Sequence, residues 1–350
     1  VVYFHDSASG HLAMERLFFE CGIKLVSYYL NSDEKITYQN IYNQYKMNQN
    51  LEVYINFEIK KNLFLKFIQG NVIIYVTRDP ISRLKTHINH IYPKGEFLNN
   101  ITLKDDPWKI LDCTCFLNNS LSVSVEFLDY FLKEKKDTLF MVNKHYVDFL
   151  NNNKIFFMDM EDINCDNAFD TMCKLSKKFN FKSPSLENLT VFKTRMTGVF
   201  DFILPKNLLI NIDGINIKII ITTVNRTIGN FINVTKCFTC DTMEHENLVL
   251  YMTKEHYEIL RQRSDIFKEC QEYLCDFINK LIVKVKHDQS KKISEIQILE
   301  YLYFNNNLRK KLKSILDQEL IYIKKHRPDI IASWKYYQEF EKMCKELDKN

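Results

Sequence analysis

The stretch "VIIYVTRDPISRLKTHINH" (residues 72–90) decides how the first part of the chain folds. Its opening six residues are an unbroken run rich in β-branched side chains, the pattern of a strand buried on both faces in a parallel sheet. Arg78-Asp79-Pro80 follows at once, and Pro80 suits the first position of a helix because the N–H it lacks has no partner there. The stretch therefore predicts a strand over Val72–Thr77, Arg78 at the carboxyl edge of a sheet, and a helix over Pro80–Tyr92. Thr86 lies eight residues beyond Arg78, where the helix can return toward that edge, so a guanidinium and a hydroxyl can converge on one phosphate. A helix cap at Asp79 with Arg78 in a structural ion pair is the other reading of the same residues.

Outward from this stretch, strands and helices alternate. "VVYFHDSASGHLAMERLFFECG" (residues 1–22) reads as a strand over Val1–His5, a short polar turn, and a helix over Leu12–Cys21 closed by Gly22. A strand that ends in small and hydroxylic residues and turns directly into a helix leaves backbone N–H groups and the helix dipole facing any anion. Simple capping by Ser7 or Ser9, with Gly10 relaxing the turn, accounts for the same residues. Strands are further predicted at Ile23–Tyr29, Leu51–Phe57, Thr138–Val142 and Lys154–Met158, with helices at Lys60–Gln69, Ser120–Lys135 and Asp166–Asn180. This is an α/β pattern, which places ligands at the carboxyl ends of a parallel sheet.

The pattern changes after about Gly198. Leu208–Val224 alternates on both sides of Asp213-Gly214, a dipeptide suited to a type I′ hairpin turn. From Lys254 the chain reads as helical, with segments Lys254–Lys286, Lys292–Leu320 and Pro328–Leu347, the last with Trp334, Tyr337 and Phe340 spaced as a buried face. The expected division is a nucleotide-binding domain over 1–198, a β-rich segment over 199–253 and a helical C-terminal region over 254–350.

At 350 residues, 46% hydrophobic and 26% charged, the chain can bury one large core or two ordinary ones. A net charge of +4 is too small to argue for a nucleic-acid partner. No apolar run approaches the roughly 20 residues of a membrane span. The first residue is Val and already belongs to a strand, so a preceding targeting segment stays open. Ten cysteines without framework spacing read as reduced thiols of a cytoplasmic protein. Cys237 and Cys240 have metal-like spacing, but zinc there needs His245 and a fourth ligand, and no second such pair exists. No metal is expected.

"RDPISRLKTH" resembles the 3′-phosphate-binding motif of sulfotransferases, in which an Arg ends a strand, Asp-Pro or Asn-Pro follows, and a hydroxyl comes eight residues after the Arg. "FHDSASGHL" falls where those enzymes carry a Pro-Lys-Ser-Gly-Thr-Thr loop for the 5′-phosphosulfate. "KIFFMDMEDINCDNAFDTMCKLSKKFNF" (residues 154–181) resembles their late strand, Glu-Asp-Leu turn and helix, with Glu161-Asp162-Ile163 at the turn. The resemblance covers about residues 1–195 and implies a sulfotransferase-like parallel sheet with flanking helices, of the P-loop type. It implies 3′-phosphoadenosine 5′-phosphosulfate as donor, held by Ser7, Ala8, Ser9, Gly10, Arg78 and Thr86. Arg195, with Lys193, stands where this part ends and can close over the 3′-phosphate, or be a solvated basic loop. One departure is plain: position on position, the family's loop lysine falls on Asp6, which repels phosphate.

Sulfuryl transfer also needs a base for the acceptor proton, and the histidines nearest the turn are His11 and His5. His87 and His90 follow the Arg78 motif and read as structural or solvated. The ending "RPDIIASWKYYQEFEKMC" (residues 327–344) resembles an uncharacterised protein family of Campylobacter and Helicobacter relatives, which implies a bacterial setting and a surface carbohydrate as acceptor. The expected activity is sulfuryl transfer to such a glycan. Two other classes fit: a non-catalytic binding or scaffolding protein with a degenerate nucleotide site, favoured by Asp6, and a glycan-modifying transferase using another nucleotide donor.

Overall fold

The computed structural model describes residues 2–5, 8–29, 39, 42–43, 46–47, 50–54, 72–94, 99–116, 119–134, 154–195, 198–224, 229–238 and 247–348. The strand expected at Thr138–Val142 and the helix at Lys60–Gln69 lie outside them. The chain forms two compact units, each built from separated segments: Val1–Ile88 with Val125–Met196 and Ile293–Asn350, and Asn89–Ser124 with Thr197–Lys292. This differs from a linear division at 198 and 253. Residues 293–350 join the parallel-sheet unit because their buried face, Trp334, Tyr337 and Phe340, and their backbone N–H groups find partners there.

The first unit holds a five-stranded, all-parallel sheet of β1 (Val2–His5), β2 (Leu25–Tyr29), β3 (Asn50–Tyr54), β4 (Val72–Thr77) and β5 (Lys154–Asp159), in the order β2-β3-β1-β4-β5. The first strand is thus central, and the direction of winding reverses between β1 and β4, the place where open α/β sheets form their ligand crevice. Helix α1 (His11–Glu20) buries Met14, Leu17 and Phe18, and α4 (Ala168–Phe179) buries Ala168, Met172 and Leu175, each set on one helical face. These side chains pack with Tyr3, Ile74, Val76 and Met158 of the sheet in one core. Between α1 and α4 in the chain come α2 (Pro80–Ile88) and α3 (Phe127–Glu134). After α4 the unit is completed by α5 (Glu295–Phe304), α6 (Asn306–Glu319) and α7 (Lys335–Leu347).

The long helical segments expected near the end of the chain are broken. Asn305 separates α5 from α6, Trp334 separates the short helix Pro328–Ser333 from α7, and Arg263 separates Lys254–Gln262 from Ser264–Ser290. Apolar periodicity continues across each break, so the pattern alone hides it. At Trp334 the extended backbone (φ −75°, ψ 94°) accompanies an indole N–H bond to Asp159.

The second unit contains the hairpin Lys206–Ile212 and Ile215–Thr223, with Asp213 (φ 49°) and Gly214 (φ 86°) both left-handed, as a type I′ turn requires. Its sheet continues through Leu248–Met252 and Ile232–Asn233 on one side and Asn100–Ile101 on the other. Helix Ser264–Ser290 buries Cys270, Leu274, Phe277, Ile278, Leu281 and Val285 against it. Among the described residues no helix is long and apolar enough to cross a membrane.

Candidate functional site

β1 and β4 are parallel neighbours with His5 opposite Val76, so the turn after β1 and Arg78 after β4 lie at the same edge of the sheet. The turn enters α1 through Ala8 (φ 64°), Ser9 and Gly10 (φ 78°). Gly10 occupies the N-cap position, and among the described residues no side chain caps the helix. Ser9 is fully buried and among the described residues its hydroxyl has no hydrogen-bond partner, a condition that costs about 1–3 kcal/mol unless something fills it. A Cβ added at Gly10 meets Ile163 Cδ1 at 3.0 Å, and the left-handed backbone penalises it further. Gly10→Ala is therefore expected to lower stability by about 1–2 kcal/mol in urea unfolding. A variant as stable as the parent means the turn relaxes freely.

Arg78 Nη1 donates to the Ala8 carbonyl at 2.8 Å and so ties the strand end to the turn. No carboxylate pairs with Arg78 among the described residues. Burial lowers its affinity for its proton, opposed chiefly by the charge of Glu295. Asp79 acts as a double cap. Its Oδ1 accepts the Ile81 and Ser82 N–H groups at 2.8 and 3.3 Å, and its Oδ2 accepts those of Tyr336 and Tyr337 at 3.0 and 3.1 Å. One carboxylate thus starts both α2 and α7.

At the end of β5, Asp159 accepts the Glu161 N–H at 2.9 Å, Asp162 accepts the Asp159 N–H at 2.9 Å, and the Trp334 indole donates to Asp159. Arg327 donates to the Phe157 carbonyl at 2.6 Å and pairs with Asp329. Burial raises the Asp79 and Asp159 carboxyls above the usual carboxylate range, against the pull of their N–H donors. A carboxyl raised in the folded state contributes stability that is full below the unfolded value of about 3.9 and is lost as pH rises through the folded value. The stability gap between the parent and Asp79→Ala is accordingly expected to widen as pH falls from about 7 to about 4. A gap that narrows shows that the N–H donors outweigh burial.

These groups border a cleft of about 700 Å³, walled by Arg78, Ser82 and Lys85 on the β4–α2 side, Asp159–Asn164 after β5, and Glu295, Arg327, Trp334 and Lys335 from later in the chain. That volume suits a nucleotide-sized ligand. Ala8, Ser9, Gly10 and Arg78 are brought together, with half-buried His11 at the start of α1; of these only Arg78 lines the cleft, which meets α1 at Ala13. His5 ends β1, and its side chain, like the whole of Asp6 and Ser7, lies outside the described residues. Thr86 turns its hydroxyl onto its own helix, bonding the Ser82 carbonyl at 3.1 Å, and does not line the cleft. Arg195 and Lys193 are exposed beyond the short helix Leu189–Phe192 and do not line it either. Sequence reasoning passed over Ser82 and Lys85, whose one-turn spacing after Arg78 was the available signal. It passed over Glu295, Arg327 and Lys335 as well, for which spacing carries none. Cys237 accepts a hydrogen bond from the Tyr257 hydroxyl, while Cys240 and His245 lie outside the described residues. Among the described residues no group of side chains is arranged to hold a metal.

A family model described as "Protein of unknown function (DUF2972)" matches residues 157–347, more than half of the chain. The chain belongs to that family, whose segment runs from β5 to α7 and so holds the later walls of the cleft but not Arg78 or α2. No curated protein and no solved structure matches it.

Proposed function

We propose that the chain is a sulfotransferase-like protein that binds 3′-phosphoadenosine 5′-phosphosulfate in the cleft and transfers its sulfuryl group to a hydroxyl of a bacterial surface carbohydrate. The observation that carries the reading is the joint made by Arg78 and the Ala8-Ser9-Gly10 turn. Among the described residues, a half-buried guanidinium without a carboxylate partner meets a helix start without a side-chain cap and a buried Ser9 hydroxyl without a hydrogen-bond partner. The guanidinium and the helix start are groups that an oxyanion satisfies, and they stand at the carboxyl ends of two adjacent inner strands of a parallel sheet.

In the reaction, the acceptor oxygen bonds to sulfur as the bond from sulfur to the bridging oxygen of the 5′-phosphate breaks. The acceptor proton passes to a base, for which His11 is the first choice and His5 the second. His11 is the first residue of α1 and His5 the last of β1, so both stand at the sheet edge that carries Arg78. The nine described cysteines are free thiols, which suits a cytoplasmic setting. Calorimetry with 3′-phosphoadenosine 5′-phosphate, adenosine monophosphate and a uridine diphosphate sugar tests the reading. The first is expected to bind at least about tenfold tighter than the second. Preference for the sugar nucleotide replaces the donor and ends the sulfuryl reading.

Asp6, where the resemblance expects a cationic loop residue, favours a second reading: a protein that binds the nucleotide without catalysis. Nucleotide binding without any transfer to glycan acceptors selects it.

A further inference from the structure

The α2 side of the cleft presents two cations and a hydroxyl, Arg78, Lys85 and Ser82, and a carboxylate from far along the chain already engages two of the three. Glu295 Oε1, at the start of α5, accepts from Ser82 Oγ at 2.9 Å and pairs with Lys85 Nζ at 2.7 Å. The Glu295 side chain is 13% exposed and that of Lys85 30%, so water screens the pair only in part. Glu295 is also the largest acidic influence on Arg78. Burial alone favours its protonated acid, but Lys85, the residue's own N–H and Ser82 outweigh burial and hold it below its ordinary range, so it is charged at neutral pH.

We propose that Glu295 is a carboxylate latch on the anion site: it occupies Ser82 Oγ and Lys85 Nζ, and a ligand phosphate displaces it from both on binding. This rests on the reading of the cleft as a nucleotide site and adds two ligand contacts and an affinity-setting residue to it. The reason is electrostatic. A phosphate that takes Lys85 must part it from Glu295 while lying beside that negative charge. Neutralising Glu295 raises the net charge of the Arg78, Lys85 and Glu295 group from one positive to two and frees the Ser82 hydroxyl.

Calorimetry with 3′-phosphoadenosine 5′-phosphate and, separately, inorganic pyrophosphate provides the test. Glu295→Gln is expected to bind both about tenfold tighter than the parent. Lys85→Ala, nearly silent in the parent, is expected to cost about tenfold in the Glu295→Gln background. Glu295→Asp, too short to reach Lys85 equally well, moves in the same direction by a smaller factor and serves if Glu295→Gln does not fold. Unchanged or weaker binding of both probes in these variants overturns the latch, as does an additive Lys85 effect. Failure of the nucleotide reading looks different: pyrophosphate binding tightens as expected, yet the parent shows no preference for the 3′-phosphorylated nucleotide over adenosine monophosphate. If no variant binds either probe, both proposals fall.

Discussion

Arg78→Ala is expected to weaken binding of 3′-phosphoadenosine 5′-phosphate by about 10–100-fold and that of adenosine monophosphate by no more than about threefold. A charge-assisted contact from a guanidinium is worth about 1.5–3 kcal/mol, and only the first nucleotide carries the 3′-phosphate that collects it. The smaller loss is assigned to the Ala8 carbonyl, which Arg78 Nη1 holds at 2.8 Å and which positions the turn for any phosphate. Arg78→Lys keeps the charge but not the fork and recovers only part of the affinity. Equal losses for the two nucleotides would confine Arg78 to supporting the turn.

Trp334→Ala is expected to cost the first unit about 3–5 kcal/mol in urea unfolding, the range for truncating a buried large aromatic. The side chain is 4% exposed, meets Tyr337 edge to face, and gives its indole N–H to Asp159. Truncation opens a cavity and strips a buried carboxylate of one donor, two penalties that add. Trp334→Phe retains most of the packing and is expected to lose only about 1–2 kcal/mol, the part due to the hydrogen bond. A loss below about 1 kcal/mol for Trp334→Ala would show that the wall of the cleft repacks around the gap.

The strand over Val72–Thr77 was legible because a buried parallel strand has a composition of its own, and its bounds are those observed. The Asp213-Gly214 hairpin was legible because few residues accept two successive positive φ angles. The spacing of Thr86 from Arg78 was a weaker guide. A hydroxyl inside a helix is easily satisfied by the carbonyl four residues back, which is where Thr86 bonds, and Ser82 and Lys85 face the cleft instead. The apolar stripe of residues 328–347 announced a buried face but not what it is buried against. Its decisive partners, Asp159 and Asp79, stand 175 and 257 residues away from Trp334 and Tyr336. Local pattern holds no record of such separations, and the discontinuous units were hidden for the same reason.

The double cap at Asp79 sets a timetable for the nascent chain. Its second pair of N–H donors includes that of Tyr337, which follows it by 258 residues. At about 5–20 residues per second a ribosome needs on the order of 10–50 s to supply that partner. During this interval the strand end, Arg78 and the turn after β1 have emerged while the wall over them has not, and long-range closure of this kind is slow even in a finished chain. The Arg78–Ala8 joint is therefore synthesised well before the α7 N–H groups that complete the cap at Asp79. A chaperone or a nucleotide that binds this joint before α7 arrives would act on the folding of the protein as well as on its finished form.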